Sequence, residues 1–503
     1  MIPFADVPAW FAARAGANAV AITLNDETLT WGQLDERSTR RAHALQSLGV
    51  KPGDFVALCL PNGFEFFESS FAIWKAGASV VLIPSRPSER EARHLLQLSR
   101  PSVLIGGQAE WCQWGHWRHL PEGADTSSMP DTMLAMPIAR FWAAIPSGGS
   151  TGTPKLIVQH MMAITGQNYR VPHGLKAGHV MLNPGSPLYH TAPFLFSHSA
   201  LFCGGTIVLA PMFDAESVLQ LVQKHAVNWL YLVPTMMHRI WHLPPEVREA
   251  YDLSSLETIV HTAAPTPLWL KRAWIDWLGP DRVVEGYGGT ENFGGTFIEG
   301  REWIRHEGSV GRVDVEKVKI FDEAGNAVPT GQIGEINFLD EDALCPKSHC
   351  IGGNNRQSVL GWNSFGDFGY IDEDGYLFVA DRREDLIVRG GVNIYPAEVE
   401  SALLKNSDVL GCVVIGLSNA DLGQSVHAIV QLRDGIGFNR FANSVHECLG
   451  DLAVHKRPAT YELTNMPLRN TAGKVRRSLL RQERDAAAAA GAPVGRALSE
   501  RDI

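Results

Sequence analysis

The sequence predicts an α/β protein with a large N-terminal body and a smaller C-terminal domain, and three observations support this. The chain has 503 residues, which suits about three to four domain-sized units or a large body with an appendage. Strand-like segments alternate with helix-like segments, a pattern typical of parallel or mixed sheets. The composition then changes near residue 380, where a charged run precedes a compact block of strands and helices.

Caps and turns mark the first elements of the body. Residues 7–15 predict a short amphipathic helix, and two strands flank a turn at Asn25-Asp26, namely 19–22 and 27–30. A helix is predicted from Thr30 to Leu48, because threonine is a preferred N-cap and Gly49 is a stop signal.

The alternation continues along the body. A strand at 55–60 ends at the turn signal Pro61-Asn62-Gly63, a helix runs to Ala76, and another strand covers 79–83. The same rhythm returns later, at 215–225, 229–233, 267–278 and 282–284. The body is therefore predicted to consist of α/β subdomains.

The change in composition divides the chain into three segments. The body is expected to cover residues 1–381, a mobile α+β domain residues 382–485, and a frayed tail residues 486–503. The charged run 381–385 is expected to be solvated, as a hinge between domains requires. The alternative to a frayed tail is that the alanine run 486–490 completes the preceding helix.

Charge and cysteine content limit the classes of partner. A net charge of -10 disfavours nucleic acid and anionic membrane surfaces, which leaves small molecules. We find no signal for secretion and no apolar stretch long enough to span a membrane. The seven cysteines are scattered, which suits a reducing compartment, and we expect a cytoplasmic protein. Cys345, His349 and Cys350 lack a second ligand pair with zinc spacing, so no metal site is predicted there.

A glycine-rich stretch, residues 147–155, predicts phosphate binding. Glycines let backbone N–H groups approach an anion closely, hydroxyls add donors, and a lysine adds a positive charge. The residues expected to take part are Ser147, Gly148, Gly149, Ser150, Thr151, Gly152 and Lys155. The spacing differs from that of the common P-loop. The simpler alternative is a polar hairpin loop.

Further stretches follow in order and suit a nucleotide. Residues 187–193 place an aromatic ring and an imidazole, Tyr189 and His190, beside small residues. Residues 285–291 offer an aromatic face for a base, a hydroxyl for phosphate and a carboxylate for magnesium. Asp367 precedes a strand, where its carboxylate could accept from a ribose diol, and Arg382 could reach the same diol. Each residue alone also suits packing or a surface role, and only their joint order favours function.

This ordered set resembles the adenylate-forming superfamily of acyl-CoA synthetases, luciferases and peptide-synthetase adenylation domains. The resemblance extends from the first strands to Lys474 and implies the adenylate-forming enzyme fold, with ATP, Mg²⁺ and coenzyme A as cofactors or co-substrates. It implies that Tyr287 packs on adenine with the backbone near Ala263-Ala264-Pro265. It also implies that Thr290 bonds the α-phosphate and that Glu291 holds the magnesium ion.

The resemblance assigns the remaining residues by position. Asp367 and Arg382 would hold the ribose, the loop 390–398 would line the pantetheine tunnel, and the segment 467–474 would deliver a catalytic lysine. Catalytic roles are therefore expected for Lys474, Glu291, Thr290 and His190. Nucleotide or CoA contacts are expected for Ala263, Ala264, Glu285, Gly286, Tyr287, Gly288, Asp367, Arg382, Gly390 and Gly391.

Three residues depart from the usual pattern of the superfamily. The hinge position holds Glu384 where aspartate or lysine is usual, and Asp381 stands where glycine usually precedes the arginine. Phe365 replaces the more usual threonine before Gly366-Asp367. These departures concern the hinge and the ribose geometry rather than the reaction class.

The resemblance implies an AMP-forming carboxylate–CoA ligase. A carboxylate is a poor acyl donor, so it is first joined to AMP with release of pyrophosphate and then transferred to a thiol. The alternatives are an acyl-AMP ligase that loads a carrier protein, a luciferase-like oxidase, and a catalytically silent acyl-nucleotide binding protein. The oligomeric state is not indicated by the sequence.

The expected acyl pocket favours a bulky acid. Its walls would be 189–196, 229–237, 261–264 and 288–295, where small residues leave width and Met236-Met237 offer deformable apolar surface. None of these walls contains lysine or arginine, so a second anionic group on the substrate would lack a partner. The stretch 261–267 resembles the subgroup that acts on bile acids and steroid side chains. We therefore expect a hydrophobic aromatic or alicyclic acid, with medium or long fatty acids as the alternative.

Overall fold

The computed structural model describes residues 3–147, 154–160, 173–339, 348–353, 357–359, 361–382, 385–469 and 475–498. Within these residues the strands form four sheets, and helices lie between strands along the whole chain. The predicted α/β class is thereby confirmed.

The largest sheet has eight strands and carries most of the candidate site. Its central strands are parallel, and an antiparallel strand closes each edge. In spatial order the strands are Gly295–Glu299, Val283–Gly288, Thr258–His261, Trp229–Leu232, Val180–Asn183, Thr206–Leu209, Val20–Leu24 and Glu27–Thr30. The interior strands are apolar runs because both faces of such a sheet are covered.

The second sheet has seven strands, and two of them flank the glycine-rich stretch. In spatial order its strands are Ser348–Ile351, Lys155–His160, Phe141–Ser147, Ser79–Leu82, Phe55–Cys59, Val103–Gly106 and Arg118–Leu120. Ser147 pairs with Lys155 across two antiparallel strands. The glycine-rich stretch therefore joins the two strands of a hairpin.

Two smaller sheets follow. The third sheet is antiparallel and contains, in order, Ser309–Arg312, Tyr376–Arg382, Trp362–Ile371, Gly334–Leu339 and Val318–Phe321, with Gln357–Val359 beside Trp362–Ile371. The C-terminal sheet contains Val392–Ile394, Ile387–Arg389, Gly423–Leu432 and Val409–Asn419, with Thr460–Thr464 beside Gly423–Leu432.

The helices pack over these sheets. The α-helices are Val7–Ala15, Trp31–Ser47, Phe64–Lys75, Glu89–Ser99, Thr191–Phe202, Ala215–His225, Pro234–Trp241, Pro245–Arg248, Leu268–Leu278, Gly300–Trp303, Pro396–Leu403, Phe438–Cys448 and Arg477–Ala489. Short 3₁₀ helices cover Phe4–Asp6, Ala109–Trp114 and Val454–Lys456. Among the described residues, none of these helices combines the length and the apolar character needed to cross a membrane.

Local sequence patterns correctly predicted the first two strands and the helix that follows them. The Thr30 hydroxyl accepts from the Gln33 backbone, and the Gln33 side chain accepts from the Thr30 backbone, which completes a capping box. Asn25 turns between the first two strands with φ of 54°, and Gly49 follows the helix with φ of 87°. Asparagine and glycine are the residues that adopt such left-handed conformations most easily.

The C-terminal region has a hydrophobic core of its own. The largest cluster there is formed by buried side chains between residues 387 and 461. The structure differs from the expected frayed tail over residues 486–498. The helix Arg477–Ala489 includes most of the alanine run, and Arg496 then pairs with Tyr461. Alanine has the highest helix propensity, so the run finishes the helix instead of fraying.

Candidate active site

The base of the glycine-rich stretch is fixed on both sides. Ser147 and Lys155 pair across the hairpin, and His94 donates from Nε2 to the Pro154 carbonyl at 2.7 Å. His94 comes from the helix Glu89–Ser99. The remaining residues predicted to bind phosphate lie outside the described residues, so their role stays a prediction; they are Gly148, Gly149, Ser150, Thr151 and Gly152.

Lys155 reaches the second predicted motif. Its Nζ lies 3.4 Å from Oε1 of Glu291, and both side chains are largely buried. Two side chains from the second sheet fix the backbone beside this pair: Gln159 donates to the Thr290 carbonyl at 2.7 Å, and Ser348 donates to the Glu291 carbonyl at 2.6 Å. The predicted phosphate lysine and the predicted metal carboxylate are thus brought together.

The oxygen atoms here suit a magnesium ion. Magnesium prefers carboxylate and hydroxyl oxygens, together with phosphate oxygens of the substrate. Glu291 supplies a carboxylate, and Thr290 lies next to it with its hydroxyl 2.8 Å from that of Thr191. These residues therefore fit the ion that the resemblance implies, and Glu291 is the residue that would hold it.

A second group of side chains lies where the nucleoside is expected. The Tyr287 hydroxyl donates to Oδ2 of Asp367 at 2.9 Å, and Nε of Arg382 donates to Oδ1 of the same carboxylate at 3.1 Å. Asp367 and Arg382 are also paired across neighbouring strands. Burial raises the pKa of Tyr287, and the neighbouring Asp367 carboxylate raises it further. We call Tyr287, Asp367 and Arg382 the nucleoside cluster.

Phe365 packs behind the nucleoside cluster. Its ring stacks on Phe293 at 5.5 Å and meets Tyr287 edge to face at 6.3 Å. It also lies against Gly289, where an added Cβ would come within 2.4 Å of a ring carbon. The large side chain at 365 is therefore matched by the absence of a side chain at 289.

We expect Gly289→Ala to strain this contact. The new methyl group would collide with the Phe365 ring, and overpacking of this kind costs about 1–3 kcal/mol. Denaturant unfolding and AMP binding would measure the loss. Phe365→Ala should make Gly289→Ala nearly neutral in a double-mutant cycle. Additive effects of the two substitutions would show that this contact does not explain the glycine.

The stretch after strand Thr258–His261 has an unusual backbone. Ala263 has φ of 79°, a conformation that costs a non-glycine residue free energy and is common at functional sites. Ala263 is exposed and Ala264 half-buried, so both are accessible to a ligand. His261 is fully buried and its Nδ1 lies 3.0 Å from the Thr266 hydroxyl. His261 therefore does not line an open pocket, in contrast to its place in the predicted wall.

The other predicted residues occupy different positions around these groups. His190 precedes the helix Thr191–Phe202, and its ring lies 4.4 Å from that of Tyr189. Gly286 and Gly288 alternate with Tyr287 along one strand. Glu285, on the same strand, is an ion-pair partner of Lys271. No motif in the sequence indicated a role for Lys271.

Gly390 and Gly391 belong to the C-terminal region. They form the two-residue turn between strands Ile387–Arg389 and Val392–Ile394, with φ of 57° and 81°. A two-residue hairpin turn with both φ angles positive is favourable for glycine. Their predicted contact with CoA stays a prediction.

The C-terminal region contacts the body near the glycine-rich stretch. Arg476 lies 3.7 Å from Glu91, which is on the helix that also carries His94. Lys474, two residues before Arg476, lies outside the described residues, and so does the predicted hinge residue Glu384. The catalytic and hinge roles of these two residues stay predictions.

In the charged run 381–385, the described acids Asp381 and Asp385 differ from the solvated residues expected from the sequence, whereas Arg382 is exposed. Asp381 is only 8% exposed, and its carboxylate accepts from the backbone N–H groups of Arg382 and Ala397. Asp385 forms an ion pair with Arg477 at 2.9 Å, and Arg477 also binds Glu400. These two acids have partners because they lie where the last strand of the body meets the first helix of the C-terminal region.

Asp381 should make stability depend on pH. Burial raises its pKa to about 6, although Arg477 opposes the shift. The folded protein therefore holds this proton more tightly than the unfolded chain. The resulting stabilisation is complete below about pH 4 and is lost as the pH rises to about 6. Asp381 should therefore lower the free energy of unfolding by up to about 3 kcal/mol between these pH values. We expect Asp381→Asn to abolish this decrease.

Thermal unfolding between pH 4 and 7 would test the role of Asp381. The exposed Asp374→Asn is the matched control and should retain the decline of the unmodified protein. An equal pH slope for the unmodified protein and Asp381→Asn would contradict the assignment.

The comparisons with known proteins decide the family. The family model named AMP-binding enzyme matches residues 9–339. The chain belongs to this family. A feruloyl-CoA synthase from an Amycolatopsis species is 33% identical over 449 residues, which cover 84% of this chain and 87% of that protein.

Two further proteins extend the match. A CoA ligase from Rhodococcus jostii (strain RHA1), named for a propanoate on a methyl-dioxo-octahydroindene, is 27% identical, with coverage of 94% of this chain and 97% of that protein. The structure of the anthranilate CoA ligase AuaEII with anthranoyl-AMP has a TM-score of 0.81 at 25% identity and covers 97% of this chain and 98% of that chain. The predictions of the superfamily and of an AMP-forming acid–CoA ligase are confirmed.

Proposed function

We propose that this AMP-binding enzyme activates a bulky cyclic or aromatic carboxylic acid with ATP and transfers the acyl group to coenzyme A. Lys155, Glu291 and Thr290 lie together beside the nucleoside cluster, and this arrangement supports the roles proposed for them. Lys155, Glu291 and Thr290 would suit the phosphate groups, and the nucleoside cluster would suit the ribose and the base. The named substrates of the relatives, feruloyl and indane-type acids, support the cyclic class.

The first half-reaction joins two anions. A substrate carboxylate oxygen bonds to the α-phosphorus of ATP, and the bond to pyrophosphate breaks. Positive charge placed where negative charge develops lowers the barrier. Lys155 would bind phosphate oxygens, and Lys474 would approach the α-phosphate. A magnesium ion bound through Glu291 would supply further positive charge.

The second half-reaction uses the same bound nucleotide. The thiol sulfur of CoA bonds to the acyl carbon, AMP leaves with the former carboxylate oxygen, and the thiol loses its proton. We propose that residues 382–485 form a mobile domain that withdraws Lys474 and presents Gly390-Gly391 to CoA. The separate hydrophobic core of the C-terminal region supports this division.

The predicted walls of the acyl pocket expose several uncharged side chains. Side chains that are partly accessible in its predicted walls include Tyr189, Ala192, Thr235, Ala264 and Phe293. None of them is charged, so a hydrophobic ring would be bound without an unpaired ion. Met236, Met237 and the strand Trp229–Leu232 are buried, in contrast to the accessible surface expected of the two methionines.

Rates of acyl-CoA formation across a panel of acids would test the substrate. We expect ferulate, benzoate, naphthoate or cholate to give a higher kcat/KM than octanoate or acetate. Glu291→Gln provides the background rate. Acetate as the best substrate would contradict the wide pocket, and octanoate as the best would favour the fatty-acid alternative.

The acyl acceptor and the location also belong to the proposal. CoA is proposed as the acceptor, and a purified carrier protein in place of CoA is the competing arm of the same assay.

A cytoplasmic location is supported by the described cysteines, which are all free thiols; they are Cys59, Cys112, Cys203, Cys350, Cys412 and Cys448. Fractionation of cells with an antibody to the protein would test the location.

A further inference from the structure

Lys271 is a buried cation with no role in the reaction described above. It lies in the helix Leu268–Leu278 and is 1% exposed. Its Nζ donates to Oε2 of Glu285 at 2.5 Å and lies 4.8 Å from the centre of the Trp303 ring. Burial lowers the pKa of Lys271, and the Glu285 carboxylate opposes this shift. A buried ammonium group is costly unless it is paired with an anion, so the contact with Glu285 stabilises the charged form of Lys271.

Glu285 lies close to the nucleoside cluster. It precedes Tyr287 by two residues in the strand Val283–Gly288, and alternate residues of a strand share one face. The two residues are therefore about 6.6 Å apart along that face. A purine packed on Tyr287 would bring its edge near the Glu285 carboxylate.

One oxygen of this carboxylate remains accessible. Lys271 binds Oε2, whereas Oε1 makes no hydrogen bond with any residue in the described part of the chain. The Glu285 side chain is 13% exposed, so a ligand can reach it. An ionised carboxylate only accepts hydrogen bonds, and it repels another acceptor.

We propose that Lys271 is a positioning residue that selects the base of the nucleotide. It holds the Glu285 carboxylate in place, so that Oε1 accepts from an exocyclic amine and disfavours an exocyclic oxygen. A 6-amino purine is therefore favoured over a 6-oxo purine. The inference rests on the proposed function, which places adenine on Tyr287.

Binding of AMP and IMP would test the selection directly, because the two nucleotides differ at position 6 of the base. Calorimetry on the unmodified protein should show AMP binding about ten- to hundredfold more tightly than IMP. In Lys271→Met the Glu285 carboxylate loses the partner that fixes its Oε2, so it can turn away from the edge of the base. The AMP-to-IMP ratio should then fall to within about threefold.

Two further variants distinguish selection from a structural role. Arg272→Met removes an exposed ion pair with Glu307 from the same helix, and the ratio should stay unchanged. Glu285→Gln keeps the size of the side chain but adds a donor, so the ratio should fall even if Lys271→Met does not fold. A purely structural ion pair would weaken both nucleotides equally, and an unchanged ratio in Glu285→Gln would overturn the inference.

The binding test is independent of the acid substrate. An unmodified protein that binds AMP and IMP equally would overturn the inference while its ligase activity stands. A protein that selects AMP but makes no acyl-CoA would contradict the proposed reaction and leave the base selection supported.

Discussion

Lys474→Ala is expected to slow formation of the acyl-adenylate by about 100- to 1000-fold. Loss of one charged group that acts on a developing anion has an effect of this size. The described neighbourhood supports the assignment, since Arg476 lies beside Glu91 on the helix whose His94 binds the end of the glycine-rich stretch. Acid-dependent pyrophosphate release in the absence of CoA measures this half-reaction.

The second half-reaction provides the internal control for Lys474→Ala. Transfer of a presynthesised acyl-adenylate to CoA should be nearly unchanged, because the lysine is proposed to act only on the first transition state. Lys405→Ala removes an exposed lysine of the same region and should leave both half-reactions intact. Equal losses in both half-reactions would refute the proposed division of labour.

Glu291→Gln is expected to lower kcat/KM for ATP by about 100-fold or more. The substitution keeps the shape of the side chain but removes the charge that would hold magnesium and that pairs with Lys155. A Mg²⁺ titration should show half-saturation shifted to higher concentration, with partial recovery of rate at high Mg²⁺.

Glu299→Gln is the matched control for Glu291→Gln. Glu299 is a half-exposed acid a few residues further along the chain, and it pairs with His173. Its loss should not change the dependence on Mg²⁺. An unaltered Mg²⁺ titration in Glu291→Gln would exclude Glu291 as the metal-binding residue, whatever its effect on the rate.

Local patterns predicted the parts of the site that depend on neighbours in sequence. The hydroxyls and glycines between two apolar runs indicated a loop, and Ser147 and Lys155 do pair at the base of a hairpin, whereas the binding of phosphate stays a prediction. The Thr30 cap is a similar case, since its partner lies three residues away. Such features follow from backbone requirements that single residue types satisfy.

Contacts between segments that are distant in sequence could not be predicted from local patterns. The Tyr287 hydroxyl meets Asp367 across 80 residues of sequence, and the resemblance indicated their proximity without the hydrogen bond itself. Gln159 and Lys271 carry no motif, because their roles depend on which strand or helix packs beside them. Asp381 looked like part of a solvated run, but the start of a helix supplies a backbone N–H group that binds its carboxylate.

The central claim is that one site forms an acyl-adenylate and then transfers the acyl group to CoA. Pyrophosphate release should be measured with ferulate and ATP, first without CoA and then with it. We expect a burst of about one equivalent per enzyme without CoA, and continuous release with AMP and feruloyl-CoA in equal amounts when CoA is present. No acid-dependent release from ferulate or any other acid of the panel, or continuous release that CoA does not change, would contradict the claim.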